Sequence, residues 1–116
     1  MDLRIGAAIE SELGRNRALC RNYNQLGNLH QARGELARAG EMYRKALQLS
    51  EQAEDPTEAA NNWANLASVQ HKLGHADEAR AMYERSLSLF EQGGAKAKVL
   101  RVRGLLSSLE QRRPPE

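Results

Sequence analysis

Helical spacing governs almost the whole chain. Trp63, Leu66, Ala67 and Gln70 stand at i, i+3, i+4 and i+7, which is one face of an α-helix. Leu73-Gly74-His75 interrupts that face. Ala79, Tyr83, Ser86 and Leu87 then resume the same spacing. Two short amphipathic helices folded back on each other account for the stretch. Ala67 and Ala79 are small where the two backbones approach, and larger side chains there would force the helices apart.

The pattern also stands forty residues earlier. Tyr23, Leu26, Gly27 and His30 match Trp63, Leu66, Ala67 and Gln70, and Gly34 matches Gly74. Ala39, Tyr43, Ala46 and Leu47 match Ala79, Tyr83, Ser86 and Leu87. A register held through two helices and their turn indicates a solenoid of stacked units. The spacing predicts helices over about 2–13, 17–33, 36–53, 56–73, 77–92 and 95–112. Gly14-Arg15-Asn16 reads as a break, with Gly14 as C-cap and Asn16 as N-cap. Gly34 stops the second helix, and Gly93-Gly94 ends the fifth. In Asp55-Pro56-Thr57-Glu58 the aspartate caps the next helix, the proline suits its first turn, and Glu58 completes a capping box. Residues 1–14 then form a partial unit, 17–53 and 55–93 two full units, and 95–113 a terminal half unit striped by Val99, Val102, Leu106 and Leu109. No strand candidate appears.

These residues resemble the tetratricopeptide repeat, whose signature is an aromatic, Leu-Gly, Tyr, Gly, Ala, an aromatic and Ala. The first copy carries Tyr23, Leu26-Gly27, His30, Gly34, Ala39, Tyr43 and Ala46, and the second Trp63, Leu66-Ala67, Gln70, Gly74, Ala79, Tyr83 and Ser86. His30 and Gln70 depart from the usual Tyr. The family unit is about 34 residues, so forty resembles the long-repeat, kinesin-light-chain-like subgroup. The resemblance implies an all-α, right-handed superhelix of helical hairpins. It also implies a non-catalytic scaffold that binds an extended peptide or partner protein in a concave groove lined by the first helices.

On those first helices a polar face lies opposite the core. It comprises Arg21, Asn24, Asn28 and Gln31 on one, and Asn61, Ala64, Asn65, Ser68 and Lys72 on the other. Asparagine amides both donate and accept, so they suit a peptide backbone. Arg21, Lys72 and Arg101 suit acidic groups on a ligand. The family's carboxylate-clamp subset needs a base where Asn24 stands, which argues against binding a chaperone C-terminus.

Composition narrows the remaining chemistry. Of 116 residues, 41% are hydrophobic and only 4% aromatic, so leucine and alanine must build the core. Lys plus Arg number 17 against 15 acidic residues, too balanced to argue for nucleic acid. The basic run from Lys96 to Arg113 holds no aromatic to stack a base. Cys20 is the single cysteine; it precludes an internal disulfide, fits core packing, and suits a reducing, cytoplasmic setting. No apolar run spans a bilayer, and the acidic N-terminus does not read as a signal peptide. His71 and His75 are four apart, but Gly74 breaks their helix, so no metal is expected. No cofactor motif or catalytic constellation is present. Trp63 lies on the Leu66 face and reads as core. An alternative function is self-association through the terminal helices: Leu3, Ile5, Ile9 and Leu13 lack the first helix of their unit, and Val99, Leu100, Val102, Leu105, Leu106 and Leu109 form a stripe wider than a single neighbour would cover.

Overall fold

The computed structural model describes the backbone of residues 3–111 and the side chains of residues 12–110. Five helices follow one another: α1 (Leu3–Ala32), α2 (Leu36–Gln52), α3 (Pro56–Lys72), α4 (Ala76–Gln92) and α5 (Lys96–Gln111). The fold is all-α. Each helix packs chiefly on its neighbours in the chain, as expected of a solenoid of helical hairpins.

The forty-residue period divides into two equal halves. Helices α2, α3 and α4 each hold 17 residues. The intervening turns all use one device. Gly34, Glu54, Gly74 and Gly94 have φ of 76°, 53°, 87° and 67°, the left-handed region that glycine enters without steric cost. After each, the next N–H reaches back five residues: Glu35 to His30, Asp55 to Ser50, His75 to Gln70 and Ala95 to Phe90, at 2.8–3.0 Å. This pairing satisfies carbonyls that the helix end leaves free. Glu54 alone adopts the conformation with a side chain.

Three local expectations are corrected. Gly14-Arg15-Asn16 does not break the chain, because α1 runs through it for 30 residues. A glycine inside a helix costs only about 1 kcal/mol, and the flanking arginines favour helix. Next, Asp55 caps α3, its Oδ1 accepting from the Glu58 N–H at 3.1 Å, but Glu58 does not complete the box. The Asp55 N–H is already bound to Ser50, and Glu58 Oε1 accepts from Asn24 Nδ2 of α1 at 2.8 Å. Finally, Trp63 is half-buried at the edge of the core. It faces an open cleft of about 320 Å³ with Pro56, Ala59 and Leu89.

Two apolar clusters hold the stack. One joins Ala39, Tyr43 and Leu47 of α2 to Ala59, Leu66 and Val69 of α3. The other joins Ala60 and Ala67 of α3, Ala79, Tyr83 and Phe90 of α4, and Val99, Val102 and Leu109 of α5. Ala39, Ala67 and Ala79 are fully buried, as close helix crossings require. At Gly27 the approach is closer still, since a Cβ there would lie 2.5 Å from Tyr43 Cε1. Leu26 is 42% exposed where its counterpart Leu66 is 2% exposed. The reason is topological: α2 covers Leu66, and no described helix lies on that side of α1. Of the terminal apolar residues, Leu3, Ile5 and Ile9 have side chains outside the described residues.

Candidate functional site

The first helices of the hairpins, α1, α3 and α5, meet around a cleft of about 310 Å³. Its polar wall is Asn28, Gln31, Asn61, Asn65 and Ser68, with Lys98 and Arg101 at the α5 side. Tyr83, Phe90, Val102 and Leu105 supply apolar surface. No carboxylate is among the residues lining it.

The tyrosines of the second helices set the floor. The Tyr43 hydroxyl lies 2.5 Å from Asn28 Oδ1 and 3.0 Å from Gln31 Oε1. Gln31 Nε2 donates to Ser68 Oγ at 2.9 Å. One hydrogen-bonded line thus crosses from α1 to α3 and fixes the amide orientations. Burial raises the pKa of both phenols above the ordinary 10.0. At Tyr83 the Arg101 guanidinium and Ser68 partly oppose that rise. Lys98 Nζ donates to Asn61 Oδ1 at 3.3 Å and sits 5.4 Å from the Phe90 ring centroid. Neither Lys98 nor Arg101 forms an ion pair with a described carboxylate.

Six of the nine residues singled out in the sequence therefore share one cleft: Asn28, Gln31, Asn61, Asn65, Ser68 and Arg101. The other three do not join them. Arg21 borders a separate pocket of about 180 Å³ beside Asn16, Arg17, Cys20, Asp55 and Glu58. Asn24 is tied to Glu58 between α1 and α3. Lys72 is exposed near the α3 C-terminus. As cleft residues, Lys98 and Leu105 were missed by the sequence reading, although they flank Arg101 at helical spacing and so share its face. The fully buried Asn62 escaped it too.

Asn62 belongs to a different polar group. Its Nδ2 donates to Ser50 Oγ at 3.3 Å and approaches Cys20 Sγ at 3.8 Å. Cys20 Sγ donates to the Ala46 carbonyl at 3.4 Å. Burial, and secondarily the Glu58 and Asp55 carboxylates, raise the thiol pKa above its ordinary 9.0, against the Asn62 hydrogen bond. A protonated, buried thiol is a poor nucleophile, so this group is structural. His75 precedes α4 without a side-chain cap; its ring bonds Gln70 at 2.7 Å.

A stack of helical hairpins with a ligand-sized cleft between its first helices defines a helical-repeat protein of the interaction type. The family model of the tetratricopeptide repeat matches residues 18–92, and the chain belongs to that family. Repeats of this family generally serve as non-catalytic protein–protein interaction modules. No curated protein matches the chain as a relative. No described helix is long and apolar enough to cross a membrane.

Proposed function

We propose that the protein is a non-catalytic, cytoplasmic scaffold that holds an extended segment of a partner protein in the concave cleft between α1, α3 and α5. The observation that carries this reading is the cleft's lining: amides and two cations, with no carboxylate among them. Asn61 and Asn65 serve the ligand backbone, because an amide matches both its N–H and its C=O. Arg101 and Lys98 serve acidic side chains of the ligand. Leu105 and Phe90 take an apolar one. The Tyr43–Gln31–Ser68 line holds the floor rigid, so little ordering entropy is lost on binding.

Selection of peptides from a random displayed library tests this directly. Selected peptides should be rich in Asp and Glu. Asn65→Ala with Arg101→Ala should weaken them at least about tenfold, or about 1.4 kcal/mol, with an unchanged melting curve. Binding that survives both changes rejects the cleft. Self-association through the terminal helices is a second reading, favoured by the exposure of Leu19, Leu26 and Leu29 on α1 and of Leu100 on α5.

A further inference from the structure

The cleft between α1, α3 and α5 offers a ligand more hydrogen-bond donors than acceptors. Asn28, Gln31, Asn61 and Asn65 are the amide side chains that line it. The protein itself occupies most of their oxygens. Asn28 Oδ1 and Gln31 Oε1 face the Tyr43 hydroxyl at 2.5 and 3.0 Å, and Asn61 Oδ1 accepts from Lys98 Nζ at 3.3 Å. Among the described residues, Asn65 alone of these amides keeps its oxygen for a ligand. A cleft whose amides show mainly N–H groups favours a ligand that brings acceptors. Two further donors are cations without a counter-ion. Lys98 and Arg101 stand one turn apart on α5 and line the cleft. Neither pairs with a described carboxylate, whereas Arg103, two residues beyond Arg101, is held by Glu91 at 3.1 Å. No carboxylate lines the cleft to neutralise the pair.

We propose, on the footing that this cleft is the peptide site, that it reads a phosphorylated serine or threonine in the partner segment. Lys98 and Arg101 hold the phosphate, and the Asn61 and Asn65 amides on the facing helix donate to its oxygens. Charge and valence select this group. One aspartate or glutamate brings a single charge on two oxygens, enough for one of the two cations. A phosphate monoester carries about −1.5 to −2 charges on three terminal oxygens, enough for both. Two neighbouring carboxylates would have to be brought together against their own repulsion to do the same. The rings that line the cleft, Tyr83 and Phe90, are 3% and 2% exposed, so neither is open to stack a base. That favours a phosphorylated side chain over a nucleic acid. Phosphorylation of the partner then governs its capture.

Fluorescence anisotropy of the full chain with an acidic peptide selected against it tests this. Each Asp or Glu of the peptide is replaced in turn by phosphoserine, and separately by serine. At one position phosphoserine should lower Kd at least about tenfold below the original peptide, and serine should raise it. Lys98→Gln with Arg101→Gln should bring the phosphorylated and original peptides to within about threefold of each other. Both side chains are exposed, so the thermal melt should be unchanged. Arg103→Gln should leave the preference intact, since Glu91 holds that guanidinium. Phosphoserine that binds no tighter than the original residue at every position overturns this inference alone and leaves the acidic-peptide reading standing. A preference that survives Lys98→Gln with Arg101→Gln also overturns it, because the phosphate is then held elsewhere. Oligothymidylate that displaces the phosphopeptide at equal concentration, and is itself lost with the same double change, assigns the donors to a nucleic acid and overturns the peptide occupant. A selection that yields no peptide, or binding that survives Asn65→Ala with Arg101→Ala, rejects the cleft and both readings with it.

Discussion

Asparagines serve two different ends in this molecule, and they stand side by side in the sequence. Asn61 and Asn65 line the cleft. Asn62 between them is 0% exposed, bound to Ser50 and in contact with Cys20. On α1, Asn24 is committed to Glu58, whereas Asn28, one turn later, accepts from the Tyr43 hydroxyl at the cleft floor. Residue type therefore does not separate a cleft-lining amide from a structural one. Helical phase does: a step of one residue turns the side chain by about 100°, from the open cleft into the contact between hairpins.

The two contacts between hairpins sharpen the point, since they are equivalent by the forty-residue shift. The α2–α3 contact buries Ser50 and Asn62; the α4–α5 contact buries Phe90 and Val102 at the matching positions. One is hydrogen-bonded, the other packed. A similar exchange occurs within the hairpins. In the first, the Cys20 thiol donates to the Ala46 carbonyl. In the second, the Ser86 hydroxyl donates to the Ala60 carbonyl at 2.8 Å. Those are the same two positions with donor and acceptor helix reversed. A side-chain-to-backbone bond closes each crossing, and either helix can provide the donor.

The largest expected effect comes from moving the polar solution to the apolar site. Val102→Asn buries an amide against Phe90 and Val99 without a hydroxyl opposite, and should cost about 3 kcal/mol in urea unfolding. Gly27→Ala comes next. Its new Cβ must displace the Tyr43 ring, at about 1–3 kcal/mol, whereas the reverse change, Ala67→Gly, should cost only about 0.5–1 kcal/mol. Equal costs at both positions would mean that the two crossings are not as different as the Tyr43 contact indicates. Alkaline pH provides a further handle. Cys20, Tyr43 and Tyr83 all have raised pKa values in the folded state, chiefly through burial. Their contribution is intact below the unfolded values of 9.0 and 10.0 and is lost as pH rises through the folded ones. Melting temperature should therefore begin to fall near pH 9 in the wild type, and later in Cys20→Ser. The smallest effect is a gain: Glu54→Gly relieves the one left-handed turn that carries a side chain and should stabilise by about 0.5–1 kcal/mol.

The repeat was legible because its markers are steric. Small residues at Ala39, Ala67 and Ala79, tyrosines at 43 and 83, and glycines at 34, 74 and 94 each answer to a geometric demand that recurs at a fixed interval. The turn at Glu54 escaped that reading because its residue does not advertise its conformation. Gly14 misled because glycine marks a helix end only when the chain needs a positive φ there. In the cleft, helical phase assembled six of the nine residues without a structure. Asn24 eluded it because its partner Glu58 lies 34 residues away. Glu58 in turn read as a capping residue until the turn took the Asp55 N–H. Long-range pairing of this kind leaves no periodic trace.

The division between binding and structural asparagines is tested most directly by one paired measurement on an acidic peptide selected against the wild type. Calorimetric affinity and thermal unfolding are recorded for Asn61→Ala with Asn65→Ala, and separately for Asn62→Ala. The cleft pair should lose at least about tenfold in affinity with an unchanged melt. Asn62→Ala should lose about 1–2 kcal/mol of stability with affinity retained at a temperature where it is folded. The reverse assignment, or affinity lost equally in both, would contradict the account.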